Sequence, residues 1–462
     1  MKLLKFVYIM FFLTILNACS DIEETTDDFF PKTVSPGNES EYQISLKMND
    51  DEMFYVQASI SIKNISKDSW DTIPFYFIPN VFTHENSPDL EKNSALELTY
   101  IDINGESAEY TLNNDSLVVP LKKYVEPNES VNVEISYSFS LPEGGFRFNK
   151  NGSNYYLAQW YPMIPTYRNG AGWNKEEFKF KGESYHTPFS TFHIEYDIPE
   201  NFTVVTSSEN DEFPSLNKGT LTVENEKEVF IAILDNPYIS ESFVGSTNIR
   251  VFGQNSTTND EILKVASQAF QYFQDKIGAY PDKQLDIILD DIGMEYPGVV
   301  TAGSVYNRGK VNLSIQKNIV IHEIAHQWFY RMVSSDPYHA PWLDEGITQF
   351  ATVLFLTEYE DLEFNFVEAD YYKEFDLPVN LSLDDYNIHD QSFYFYDKSV
   401  VMLGKLFQED GGKKRAEDFL SHYFENYKYK EVNTKEFIRF IKYYLKLEDD
   451  TVFEGWIFLT IL

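Results

Sequence analysis

The chain has 462 residues, is 43% hydrophobic and 16% aromatic, and carries a formal net charge of -36. That apolar content excludes a disordered chain. The deficit of Lys and Arg excludes nucleic acid as a partner, because phosphate binding needs clustered positive charge.

The N-terminus reads as a charged segment (Lys2, Lys5), an apolar run from Phe6 to Leu16, then Asn17, Ala18 and Cys19, the only cysteine. The run has signal-peptide length and is short for a membrane span. Residues 1–18 are therefore expected to be a signal peptide. Leu16-Asn17-Ala18-Cys19 resembles the bacterial lipoprotein box, which implies lipidation at Cys19 and a membrane anchor facing the exterior or the periplasm. Residues 19–40 are acidic and turn-rich, with no apolar period, and predict a flexible tether.

From 41 to 243 the pattern has period two. Val56, Ala58, Ile60 and Ile62 form one such run, Val131, Val133, Ile135, Tyr137 and Phe139 another, and Phe192, Ile194, Tyr196 and Ile198 a third. This predicts an all-β domain, with turns at Asn104-Gly105 and at Pro142 to Gly145. From 244 to 462 the period becomes helical. Ile262, Val265, Ala266, Ala269 and Phe273 share one face, a short strand is expected over Leu285–Leu289, and helices follow, giving an α+β second half.

The chemistry lies in His322-Glu323-Ile324-Ala325-His326, within a predicted helix over Ile315–Met332. Residues four apart share a helix face, so both imidazoles point at one place and make a zinc-ligand pair. Glu323 lies beside them, available as a general base. A catalytic zinc takes a third protein ligand and keeps one position open. Glu345, in the first turn of the next predicted helix and separated from His326 by the eighteen residues 327–344, is the candidate. One Zn2+ per chain is expected.

This pattern resembles that of the gluzincin metallopeptidases. Its setting resembles the aminopeptidase N family, which also includes leukotriene-type hydrolases. Gly293-Met294-Glu295-Tyr296-Pro297-Gly298 stands where the family has Gly-x-Met-Glu-Asn. Trp342 to Gly346 resembles Trp-Leu-Asn-Glu-Gly, and Tyr396-Asp397-Lys398-Ser399 resembles Tyr-x-Lys-Gly. Trp160-Tyr161-Pro162-Met163 resembles bacterial members. Ile292, Tyr296 and Ser399 depart from the pattern, and the chain stops soon after Trp456, where the family usually continues into a helical domain. The resemblance implies a thermolysin-like, mostly helical catalytic domain behind the all-β domain. It implies an aminopeptidase acting on peptides with a free N-terminus, with Tyr396 donating to the oxyanion. Glu295, with Gly293 and Met294, would bind the substrate amine, and Gln159 is a further candidate contact. Two alternatives stay open: a zinc endopeptidase on the same scaffold, and an inactive peptide-binding lipoprotein. His186, His193, His339, His389 and His422 have no ligand-like spacing.

Overall fold

The period-two runs become strands because each can bury one face. In Asn38–Met48 the buried positions alternate strictly, with Tyr42, Ile44, Leu46 and Met48 inward. This strand pairs antiparallel with Phe54–Asn64, from Asn38 opposite Asn64 to Met48 opposite Phe54. The computed structural model describes residues 29–180, 182–207, 216–289, 292–303, 312–367 and 374–459. The signal peptide and Cys19 lie outside the described residues.

Seven strands form the main sheet. Their order is Lys218–Glu226, Ser190–Asp197, Asn38–Met48, Phe54–Asn64, Ser130–Phe139, Leu96–Ile103 and Glu106–Ser107. All pairs are antiparallel except Asn38–Met48 with Ser190–Asp197, which run parallel. A three-stranded sheet (Trp70–Tyr76, Ser116–Val125, Thr111–Asn113) and a four-stranded one (Thr203–Thr206, Ile231–Leu234, Asn154–Leu157, Phe148–Asn151) add residues to the same core. Trp70, Phe75, Val119, Phe148 and Ile231 are all buried there.

The second half opens on a four-stranded sheet ordered Tyr238–Val244, Thr247–Gly253, Gln284–Ile288 and Val299–Thr301. The first pair is an antiparallel hairpin and the other two pairs are parallel. The boundary expected at 243/244 thus falls inside one hairpin, and Tyr238–Val244 pairs with the second half. Among the described residues six α-helices accompany this sheet: α1 (Ser256–Lys276), α2 (Leu313–Ala325), α3 (Ile347–Tyr359), α4 (Ser399–Gln408), α5 (Gly412–Tyr427) and α6 (Thr434–Leu445). Asn255, Asn312 and Asn433 cap α1, α2 and α6 by accepting a backbone N–H from the first turn.

Two expectations need correction. The tether was expected to run to residue 40, but Lys32 N–H donates to Glu436, Val34 N–H to the Glu431 carbonyl at 3.0 Å, and Tyr167 N–H to the Pro36 carbonyl at 2.7 Å. Residues from Pro31 onward belong to the folded unit because their backbone groups find partners there. The zinc-ligand helix was expected to reach Met332, but α2 ends at Ala325. Gln327 and Trp328 tighten to i−3 bonds, then Arg331 and Val333 loosen to i−5 bonds. The side chains there are committed elsewhere: Gln327 holds the 295–298 turn, and Arg331 is paired with Glu226 and Asp282. Nor does the apolar stripe of α2 all face the core, since Ile315 is exposed and Ile319 lines a cavity.

Candidate metal centre

Helix α2 is fixed from below by Gln316, whose amide donates to the carbonyls of Leu289 and Ala302 at the strand ends. One turn later His322 and His326 project together. Their Nε2 atoms are 3.0 Å apart, and Glu345 Oε2 lies 3.1 Å from the first and 3.4 Å from the second. The three donor atoms lie within 4.8 Å of one another. The far side of each ring selects its tautomer. Nδ1 of His322 is 2.8 Å from Gln349 Oε1. Nδ1 of His326 is 3.1 Å from Asp344 Oδ1, 3.1 Å from Thr348 Oγ1 and 3.3 Å from the Phe329 carbonyl. Since Thr348 donates to that same carbonyl, its oxygen accepts from the ring. With acceptors at both Nδ1 atoms, the Nε2 lone pairs converge on one point. Two neutral imidazoles and a carboxylate are a zinc donor set, and His322, His326 and Glu345 can hold that ion.

Glu345 arrives on a wide π turn, Trp342–Gly346, which leads into α3. Trp342 anchors it, fully buried, with Nε1 donating to Thr434. A second π turn, Phe393–Lys398, carries Tyr396. The Lys398 ammonium donates to the carbonyls of Phe375 and Leu377, which fixes this turn. The two turns meet where a Cβ on Gly346 would stand 2.8 Å from the Ser399 Cβ. Ser399, where the resemblance predicts Gly, fits because it faces that glycine and its hydroxyl donates to the Tyr394 carbonyl. The Tyr396 ring centroid lies 5.5 Å from that of His322. Burial of its hydroxyl, then the Glu345 carboxylate, holds the phenol proton well above its ordinary range, so it is a donor at neutral pH.

Glu323 faces the same space. Burial pushes its carboxyl up to about 8; His326 opposes this, while Glu345, Glu183 and Asp344 add to it. Its place depends on Gly293, where an added Cβ would meet Glu323 Oε1 at 2.8 Å and Ile319 at 3.0 Å. Gly293→Ala should therefore displace the carboxylate while leaving the ligands alone. The expected result is a loss of about 10-fold or more in kcat with unchanged zinc content, measured by steady-state kinetics beside metal analysis.

Glu295 is buried in the lining of the same cavity, on a loop with a clear origin. Pro297 and Gly298 are the central residues of a type II turn: φ is +71° at Gly298 and Val299 N–H donates to the Tyr296 carbonyl. Gln327 holds this turn from α2, accepting from Gly298 N–H and donating to the carbonyls of Glu295 and Tyr296. Tyr296 stacks on Phe230 with centroids 4.0 Å apart, away from the cleft. Burial raises the Glu295 carboxyl well above its usual range, with Glu183 and Glu323 adding to it and His326 opposing it.

The cavity measures 570 Å³ and brings together Gly293, Met294, Glu295, Glu323, Tyr396 and the three metal ligands. Gln159 is not among its lining residues; it is buried at φ +56° with no hydrogen-bond partner for its amide. Sequence reasoning missed Gln349 and Thr348, four and three positions after Glu345, although helical spacing puts both on the ligand's face. It also missed Arg147 and Glu183, which reach the cavity from the β half with no spacing signal at all.

Residues 261–456 match the family model described as the Peptidase family M1 domain. The second half of the chain thus carries a peptidase family M1 domain. The chain is 28% identical over 181 residues to Aminopeptidase N of Streptomyces lividans, covering 35% of this chain and 21% of that one. It is 27% identical over 161 residues to Aminopeptidase RNPEPL1 of Mus musculus, covering 30% and 22%. Leucine aminopeptidase 2 of Candida albicans aligns at 22% identity over 437 residues, 79% of this chain and 63% of that one. The chain thus spans about a fifth of the length of the first two of these relatives. The crystal structure of an M1 zinc metallopeptidase from Deinococcus radiodurans shares the two-part fold, with a TM-score of 0.62 over 93% of this chain and 95% of that one, at 15% identity.

Proposed function

We propose that this protein is a zinc-dependent aminopeptidase that releases N-terminal residues from peptides. One observation carries the reading: the zinc donor set and two further buried carboxylates, Glu323 and Glu295, line one cavity. A zinc ion held by His322, His326 and Glu345 supplies a Lewis acid and lowers the pKa of water. Glu323 takes the proton of the attacking water and returns it to the leaving nitrogen. The Tyr396 hydroxyl donates to the oxygen on which negative charge develops. Glu295 binds the substrate ammonium by a charge-assisted hydrogen bond, with Met294 and Gly293 on the adjoining wall. In keeping with a peptide occupant, a mutant of the Deinococcus radiodurans protein has been solved bound to a Tyr-Ser-Ala substrate.

The test is a panel of aminoacyl arylamides set against N-blocked peptides with internal bonds. Chelator-treated protein should be inactive and regain arylamide hydrolysis with about one zinc per chain. Internal cleavage of blocked peptides would make it an endopeptidase. Peptide binding without any cleavage would make it a binding protein.

The membrane placement is a separate reading. Cys19 follows the apolar run and precedes an acidic stretch, which supports a lipid anchor. Among the described residues no helix is long and apolar enough to cross a membrane. In a bacterial host the protein should fractionate with membranes, and Cys19→Ala should release it or block its processing. Unchanged fractionation and processing of that variant would remove the anchor from the account.

A further inference from the structure

Directly before the metal ligand Glu345 stands Asp344, at the place where the resembling pattern Trp-Leu-Asn-Glu-Gly has an amide. Its side chain is 3% exposed. Asp344 Oδ1 has no hydrogen-bond partner among the described residues, yet it lies 3.1 Å from Nδ1 of His326. The same ring nitrogen has Thr348 Oγ1 at 3.1 Å and the Phe329 carbonyl at 3.3 Å as its aligned partners. What Asp344 gives this imidazole is therefore charge, which an amide of the same shape would not give. We propose that Asp344 is a positioning residue for the metal, its carboxylate strengthening the hold on zinc through His326, and that the buried Lys227 of the β half is the counter-charge that keeps this carboxylate in the fold when the metal is absent.

The proposal rests on the reading of His322, His326 and Glu345 as zinc ligands. A negative charge beside the far nitrogen of a ligating imidazole makes the near nitrogen a better donor. A buried carboxylate also needs a cation, since an unpaired one is costly. Arg147, the only Lys or Arg among the described cavity-lining residues, is committed to Glu183. Lys227 is the other candidate. It belongs to a run of three buried charged residues, Glu226, Lys227 and Glu228, and is itself 3% exposed. Its Nζ lies 3.9 Å from the centroid of the Tyr330 ring, and that ring stands edge-on to His326 with centroids 6.2 Å apart. Tyr330 is fixed there by its hydroxyl, which donates to Glu228. The ammonium thus sits one ring behind the imidazole that Asp344 faces. Burial lowers the proton affinity of the Lys227 amine, and Asp344 leads the carboxylates that oppose this, ahead of Glu228, Glu295 and Glu431.

The experiment measures the zinc affinity of the full chain by competition with a chromophoric chelator. Asp344→Asn keeps the volume and removes the charge. It should weaken zinc binding about tenfold or more, the range seen when the partner of a metal-ligating histidine is lost. The cobalt-substituted variant should keep the wild-type visible spectrum, because the three ligands are the same. Wild-type zinc affinity in Asp344→Asn would overturn the proposal. An altered cobalt spectrum would also overturn it, by making Asp344 a residue that shapes the ligand set. If Asp344→Asn does not fold, Asp344→Ser carries the same two readings. Lys227→Met tests the counter-charge in metal-free protein. It should lower the melting temperature, and adding Asp344→Asn should restore most of the loss, since both buried charges are then gone. A double variant no more stable than Lys227→Met would overturn the pairing. A wild type that takes up no zinc would instead overturn the metal centre itself, and is told apart because every variant would then read alike.

Discussion

Glu323→Gln is expected to retain its zinc and lose about 10²-fold or more in kcat, the range of general acid–base catalysis. The substitution conserves volume in a buried position, so the close packing against Gly293 is kept while the ability to accept a proton is lost. Zinc should stay because the converging donor atoms belong to His322, His326 and Glu345, with Glu323 outside the set. Glu345→Ala should behave in the opposite way, losing metal first and activity as a consequence. Metal analysis of both variants beside single-turnover rates decides the matter. If Glu323→Gln strips the zinc while Glu345→Ala keeps it, the two carboxylates have exchanged roles.

Glu295→Ala should lose most of kcat/KM on peptides with a free N-terminus, with zinc content unchanged. Breaking a buried charge pair by removing one partner costs about 3–5 kcal/mol, because the other charge is left unpaired. That corresponds to about 10²- to nearly 10⁴-fold in kcat/KM. The carboxylate is nearly inaccessible and sits among other acids that raise its proton affinity, so an arriving ammonium relieves repulsion as well as forming a bond. The same logic predicts that N-acetylation of a good substrate abolishes cleavage of its first bond in the wild type. Equal cutting of acetylated and free peptides would assign Glu295 another job.

The parts of this site that were legible in sequence are those with local spacing. Two histidines four apart on a helix, and a glutamate opening the next helix, converge for reasons of helical geometry alone. The strands were legible because each buries alternate residues, as Tyr42, Ile44 and Leu46 do. Where the zinc-ligand helix ends was not legible, because Gln327 and Arg331 are drawn to groups distant in sequence. Arg147 and Glu183 were equally hidden. Each is an ordinary charged residue in the chain, and only the packing of the β half against the Met294 loop gives them a place in the cleft. Tyr296 reads as a departure from the family pattern, yet the structure turns it onto Phe230, where an aromatic ring suits the site better than a short amide.

That stack has a consequence for motion. The segment bearing Glu295 is clipped to the β half by Phe230 and to the zinc helix by Gln327. No hinge can work at this end of the cleft without unstacking two rings and breaking three hydrogen bonds together. Glu295 is thus held rigidly in the same cavity as the three metal ligands, from both of its neighbouring elements at once.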